Sequence, residues 1–510
     1  MGYSIVALGF YDLSTLSIQN NLYFTIMKFT TNKLSRIMNG DSKKKKEDEA
    51  KGRRSFLKKA GLGGLSLASF TGASAHIGDQ IAYASQNVNR NSSPSDLKIT
   101  DLRIAEIGGD VVFRTPIVRI YTNQGIVGHG DVRDGAAKEY ALFLKSRLLG
   151  ENPCNVERLF GIIKQFGHHG RQGGGVSGVE MALWDLAGKA YNVPVYQMLG
   201  GKYRDKVRVY CDTTVSKDPV EYANRMQARI DQGYTALKMD IGINLIKDIP
   251  GALINGHEAD YNPYQHQSTK YNMTKHPFTR IQITEKGVDK LMEYLDVMRS
   301  KIGYDVPMGT DHWGHIGVNE AIKLARASER YNLAYMEDVI PWQYTDQWRE
   351  ITESSTTPTQ TGEDIYRLEG GFEELIKTRA VDIVHPDPNT AGGILETKRI
   401  GDFASKHGIG FMHHHAAGPV SFLGCVHSAA ATENFMWLEH HAVDKKDWEN
   451  LVTGFDGPIV KDGYVTVPEK PGIGVELNEE VVKKYLVKGE KLFAPTPEWD
   501  KMRAWDRLWS

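Results

Sequence analysis

Short apolar runs that end in polar or charged residues recur through the second half of this chain. "RVYCDTT", "YTALKMDIG", "VPMGTDHWG", "LAYMEDVI", "TPTQTGEDI", "AVDIVHPDP", "GIGFMHHH" and "ENFMWLEHH" follow one another from about residue 207. Each reads as a buried strand with a polar C-terminal end, and helix-period segments such as "VNEAIKLARASERYN" and "GGFEELIKTRA" lie between most of them. Strand–helix alternation of this kind predicts βα units around a parallel sheet. The stretch before it differs. "KITDLRIAEIGG" and "TPIVRIYTNQGIVGHGD" are β-rich, and the second reads as a hairpin around its "NQG" turn. "GVEMALWDLAGKAYN" then has apolar residues at helical spacing until Asn192 and Pro194 stop it. Residues 97–206 therefore form a separate α+β unit. "GRQGGGVSG" (170–178) lacks the strand context of a phosphate-binding turn and reads as a mobile loop.

The polar strand ends are evenly spaced. Asp311 to Glu337 is 26 residues and Glu337 to Glu363 another 26; Asp387 follows after 24, His414 after 27 and Glu439 after 25. One βα unit needs about that length, so each residue can stand at the same level of successive strands. The expected fold is α/β, a closed (β/α) barrel spanning 207–445 with its functional groups at the C-terminal strand ends. An open doubly wound sheet is the alternative, but neither a GxGxxG turn nor a P-loop marks its crevice.

Composition adds little to the barrel and much to the N-terminus. With 62 basic against 63 acidic residues there is no electrostatic footprint for nucleic acid. Three scattered cysteines give neither a disulfide framework nor a zinc site. "KKKKEDEAKGRRSFLKKAGLGGLSLASFTGASA" has a basic region, a short weakly apolar region and small residues ending in Ala73-Ser74-Ala75. Its Arg53-Arg54 pair resembles a twin-arginine export signal, which predicts a periplasmic or exported protein that crosses the membrane folded, and a cytoplasmic one where the signal is not used. Met27 or Met38 would make a more usual start than Met1. Residues 1–75 are thus assigned to this signal and a possible extension, and 76–96 to a polar linker. Once the signal is removed, no stable membrane association is expected.

Three carboxylates at equal intervals (Asp311, Glu337, Glu363) would converge at the barrel mouth. Buried together without a cation they would repel, and oxygen-only ligands with room for water suit Mg²⁺ rather than zinc. Lys238 ends an earlier strand, with Asp240 two residues on and pointing the same way; beside a divalent ion the ammonium form would be disfavoured, tuning the lysine toward a base. Asp387 stands one strand before the run His413-His414-His415, where a carboxylate touching an imidazole would orient it and raise its proton affinity. Consecutive strand residues point to alternating faces, so the three histidines cannot all converge on one ion.

These segments, in this order, resemble the enolase superfamily in its mandelate racemase and acid-sugar dehydratase branch. The resemblance covers roughly 97–485 and includes "GVEMALWDLAGKAYNVPVYQMLGGKYRDKVRVY", the Lys238-x-Asp240 strand, "TDHWGH", "MEDVIPW" and "TGEDIY". It continues through "VHPDPNTAGGI", "MHHHAAGP", "WLEHH" and "DGYVTVPEKPGIGVEL". It implies a modified TIM barrel under an α+β capping domain, with 446–510 packing back on the cap. It implies one Mg²⁺ per subunit on Asp311, Glu337 and Glu363. Lys238 would be a base on one face and His414, paired with Asp387, an acid/base on the other. His414 is selected because family members carry a His five residues before the Pro of a Gly-Pro pair, here Gly418-Pro419. Glu439 matches a carboxylate that contacts substrate, and Asp240 and His315 join it as candidate substrate-binding residues.

The sequence departs from the family pattern in three places. Asp240 stands where many racemases carry a second Lys. Trp313 stands where some dehydratases have His, with His312 and His315 beside it. An insertion around 241–285 lengthens one connection, and is expected over the active-site rim or at a subunit contact. The implied activity is proton abstraction next to a carboxylate, then loss of water from a sugar acid (an aldonate, uronate or aldarate) to give a 2-keto-3-deoxy acid. A racemase or epimerase, or a non-catalytic periplasmic binding protein, are the alternatives. A small-molecule carboxylate and other copies of the chain are the expected partners, with specificity in the loop "IGGDVVFRT" and the insertion.

Overall fold

The computed structural model describes residues 96–256, 281–313 and 316–503. The export signal, nearly all of the linker, the centre of the insertion (257–280) and His315 lie outside the described residues.

The described residues start with an antiparallel meander: β1 (Ile99–Ile107), β2 (Thr115–Thr122) and β3 (Val127–Asp131). The "NQG" turn joins β2 to β3, pairing Tyr121 with Val127. Helix α1 (Gly173–Tyr191) lies across β3 and ends at Asn192 in the left-handed region (φ 60°). The contact is close. A Cβ on Gly128 would stand 2.2 Å from the Ala182 carbonyl oxygen, and one on Gly130 2.1 Å from that of Gly178. Only glycine allows strand and helix backbones this near one another.

Eight parallel strands follow: β4 (Lys206–Cys211), β5 (Leu237–Asp240), β6 (Met308–Asp311), β7 (Tyr335–Glu337), β8 (Thr359–Thr361), β9 (Ile383–Val384), β10 (Gly410–His413) and β11 (Phe435–His440). Each pairs with the next, and β11 returns to β4 through Leu438–Val209, Glu439–Tyr210 and His440–Cys211. The sheet is closed, so the barrel expectation holds and the open sheet is excluded. Helices α2 (Pro219–Asp231), α3 (Glu285–Ile302), α4 (Val318–Ser328), α5 (Thr345–Glu353), α6 (Glu373–Lys377), α7 (Ile394–His407) and α8 (Pro419–Ala431) return the chain between strands. The apolar face of α3 buries Leu291, Leu295 and Met298, a spacing of four then three that keeps one stripe inward. None of the helices in the described residues is long and apolar enough to cross a membrane.

After the barrel, β12 (Tyr464–Thr466) runs antiparallel to β4. The chain then returns to the meander, where the Val487 amide donates to the Glu106 carbonyl (2.9 Å) and that of Gly108 to Tyr485 (3.0 Å). The described ends of the insertion form a two-residue hairpin, Leu253–Ile254 against Gln282–Ile283.

The glycine-rich segment is not a loop. Residues 170–172 make one tight turn and Gly173 begins α1, with Gly173, Gly174 and Gly175 buried. The glycines serve close packing, since a Cβ at Gly174 would meet Arg133 at 2.5 Å.

Candidate active site

The C-terminal ends of the barrel strands carry the predicted residues to one mouth. Asp311 and Glu337 are the last residues of β6 and β7, Asp240 is the last of β5, and Glu363 lies two beyond β8. Asp387 stands three past β9, His414 one past β10, and Glu439 lies within β11. Lys238 on β5 is buried among three of the acids. Its Nζ stands 2.7 Å from Asp311 Oδ2, 2.6 Å from Glu439 Oε1 and 3.7 Å from Glu337 Oε2. Against its burial, these carboxylates raise its pKa well above that of an ordinary lysine. Here the lysine is an ammonium held by carboxylates, the reverse of the lowered proton affinity that its expected ion would impose.

Asp311, Glu337 and Glu363 face the mouth without meeting at one point. The described side chains whose possible ligand atoms lie within 4.8 Å of one another are two other sets, Asp240–Asp311–His312 and His414–Glu439–His441. Lys238 lies between Asp311 and Glu337, while Glu363 is drawn aside to Arg133 Nη2 (3.1 Å) and His414 Nε2 (3.2 Å). The acids nonetheless suit a divalent cation. Glu337 Oε2 is buried and accepts no hydrogen bond. Burial, with the charges of Asp311, Glu439 and Glu363 beside it, pushes the Glu337 carboxyl well above the usual carboxylate range. A cation among these oxygens would relieve that repulsion.

All three residues of the histidine run are buried, and each has different surroundings. His414 faces the mouth, with Nδ1 2.7 Å from Asp387 Oδ2. His413 packs edge-on against Phe411 and Phe435, ring centroids 5.0 and 5.1 Å away. His415 Nε2 meets Ser421 Oγ at 2.8 Å. Desolvation holds both neighbours at about 3, so they are neutral imidazoles.

Several site residues were not anticipated. Arg133, two residues past β3, spans from the meander into the mouth; it ion-pairs with Asp387 and reaches His414 Nδ1 at 2.8 Å. Against its burial, Arg133 and His414 hold the Asp387 carboxyl at about 2. His385 Nδ1 meets Glu337 Oε1 at 2.6 Å, and Tyr210 Oη meets its other nitrogen at 3.0 Å. His441 stands beside Glu439 and Asp212, which lift its imidazole, against burial, to about 9. His312, noted in the sequence beside Trp313 but given no role there, is in the left-handed region (φ 58°) and lies 3.9 Å from Asp240 and 3.7 Å from Asp311; these acids likewise lift it to about 9 against its burial. The only signals for this group were the arginine inside "GDVRD" and the extra histidines of "VHPDP" and "LEHH".

A closed eight-stranded (β/α) barrel with acids, a lysine and an Asp–His pair at its C-terminal mouth, beneath an α+β cap, defines a class of enzyme scaffold. Two family models match it. Residues 111–200 match the mandelate racemase/muconate lactonizing enzyme N-terminal domain, and 221–481 the enolase C-terminal domain-like family. This chain belongs to the enolase superfamily, in its mandelate racemase/muconate lactonizing enzyme branch. It is 32% identical over 415 residues to the D-xylonate dehydratase of Haloferax volcanii, covering 79% of this chain and 93% of that protein. It is 29% identical over 380 residues to the arabinonate dehydratase of Saccharolobus solfataricus, covering 72% and 90%. Both relatives are hydro-lyases by name. Among solved structures, a mandelate racemase/muconate lactonizing enzyme-like protein from Rubrobacter xylanophilus superposes with a TM-score of 0.68 at 29% identity, over 78% of this chain and 100% of that one. Members of this superfamily generally bind a divalent metal ion, in keeping with the acids gathered here.

Proposed function

We propose that the chain is a Mg²⁺-dependent dehydratase of a sugar acid, converting an aldonate, uronate or aldarate to its 2-keto-3-deoxy acid. The observation that carries this reading is the His414–Asp387 pair (2.7 Å) opening onto the same mouth as the buried acids and Lys238. An acid/base group and a negatively charged pocket suited to a cation are what proton removal beside a carboxylate requires. The dehydratases among the relatives support loss of water as the outcome.

Asp311, Glu337 and Glu363 would hold the Mg²⁺, which when bound would offset the negative charge that develops on the substrate carboxylate. His414 takes the proton α to that carboxylate through Nε2, while Asp387 steadies the ring from Nδ1. Lys238 contributes a positive charge beside Glu439, and Glu439 and Asp240 contact substrate. His315 stays a candidate substrate contact from the loop after β6. Homo-oligomerisation and export through Arg53-Arg54 belong to the same proposal.

Turnover of a sugar-acid panel with Mg²⁺, read as 2-keto acid formed, tests it. At least one acid is expected to lose water, and Glu337→Gln is expected to abolish that turnover in a folded protein. Racemised substrate without keto acid would establish an isomerase instead. Activity unaffected by thorough chelation would remove the metal from the reading.

A further inference from the structure

Glu439 stands between two imidazoles, each backed by a second carboxylate. His414 has Asp387 behind its Nδ1 and reaches Glu439 Oε2 with Nε2 at 3.8 Å. His441 has Asp212 behind its Nδ1 at 3.4 Å and reaches Glu439 Oε1 with Nε2 at 3.0 Å. The two rings lie 5.7 Å apart. Asp212 is more than two hundred residues from His441 in sequence, yet follows β4 directly, and the closing pair Cys211–His440 sets the two side by side. His441 keeps 18% of its side chain exposed at the rim, edge-on to Phe113 of the cap loop.

We infer that His441, oriented by Asp212, is the acid that protonates the departing β-hydroxyl while His414 removes the α-proton. This rests on the dehydratase reading above. Both ring nitrogens of His441 lie within ion-pair distance of carboxylate oxygens, Nδ1 of Asp212 and Nε2 of Glu439. Nε2 makes no hydrogen bond among the described residues and is aimed toward the space His414 also faces. The Cα–H bond breaks and its proton goes to His414 Nε2. That electron pair moves first onto the substrate carboxylate, from which Cα can regain a proton. It then forms the Cα–Cβ double bond as the Cβ–O bond breaks, and the hydroxyl leaves with the His441 proton as water. The enol then gains a proton at Cβ and loses one from its α-hydroxyl, giving the keto acid; one water is lost overall.

The test uses the Mg²⁺-loaded full chain in D₂O, with a sugar acid that the wild type dehydrates and its 3-deoxy-3-fluoro analogue. Fluoride leaves without a proton, so an acid catalyst is dispensable for it. His441→Gln is expected to slow water elimination by about 10²–10⁴-fold. Deuterium uptake at Cα and fluoride elimination are expected to stay within roughly tenfold of wild type. Asp212→Asn should show the same split more weakly, and it carries the test if His441→Gln does not fold. Equal loss of all three reactions would overturn the assignment, as would near wild-type water elimination. Loss of Mg²⁺ affinity in His441→Gln would also overturn it, assigning His414, Glu439 and His441 to the ion instead. A wild type that takes up deuterium but releases water from no sugar acid would overturn the dehydratase reading, a failure visible before any variant is made.

Discussion

At the scale of single residues, the histidine run shows how one residue type takes three roles within three positions. His413 fills an aromatic slot, His415 binds a serine hydroxyl, and His414 meets Asp387 at the mouth. His414→Asn is therefore expected to cost about 10²–10⁴-fold in kcat with Mg²⁺ affinity little changed. The same change at His413 or His415 should cost less than about tenfold while the protein stays folded. Asp387→Asn should reproduce part of the His414 loss, because the imidazole stays but loses its orienting charge. Steady-state kinetics on the four variants decide it; a dead His413 variant beside an active His414 variant would refute the assignment. That His414 rather than its neighbours pairs with Asp387 was legible in sequence through the family resemblance and its Gly-Pro pair. Arg133, His385 and His441 were not, because each acquires its meaning from a partner on a distant strand.

At the scale of elements, the start of α1 sets how deep the cap side chain reaches. Gly174 faces Arg133, with an added Cβ 2.7 Å from its backbone nitrogen, and rigid backbone cannot move aside cheaply. Gly174→Ala is expected to displace Arg133 from Asp387 and Glu363 and to lower kcat, and Arg133→Met is expected to lower it in the same way. Overpacking of this kind costs about 1–3 kcal/mol of stability. Gly161→Ala supplies the control, since nothing lies within 4 Å of its added Cβ on an exposed helical position. That change should leave kcat alone and gain up to about 1 kcal/mol. Thermal melts with kinetics read both, and an unaltered kcat in Gly174→Ala would show that Arg133 tolerates the shift. The glycine run was conspicuous in sequence but misread, because composition cannot distinguish glycine needed for mobility from glycine needed for close approach.

At the scale of the whole molecule, burial of neutral histidines ties stability to pH. Desolvation places His413, His415 and His440 at about 3 and His427 at about 4, against 6.5 for an ordinary histidine. Below pH 6.5 the unfolded chain binds protons that the folded chain refuses, so stability falls as pH drops toward 4. Each histidine contributes up to about 1.4 kcal/mol per pH unit in that window. Tm measured from pH 7 to 4.5 should fall steeply, and His413→Phe should flatten the slope by removing one of the four; a level Tm would contradict this burial. Export is a property of the whole chain too. Replacing Arg53 and Arg54 with lysine is expected to hold the protein in the cytoplasm, followed by fractionation, and a wild type found wholly cytoplasmic with its first hundred residues intact would refute it.

The sequence by itself determined the eight strands, the parallel barrel and the level at which Asp311, Glu337, Glu363, Asp387, His414 and Glu439 stand. It could do so because apolar runs and the length of a βα unit are local, periodic properties of the chain. Tertiary structure alone decided which of these charges touch. Lys238 among Asp311 and Glu439, Arg133 across to Asp387, and Asp212 beside His441 depend on strands separated by up to some two hundred and fifty residues. Barrel closure and cap docking bring those strands together, and neither leaves a periodic trace in the chain.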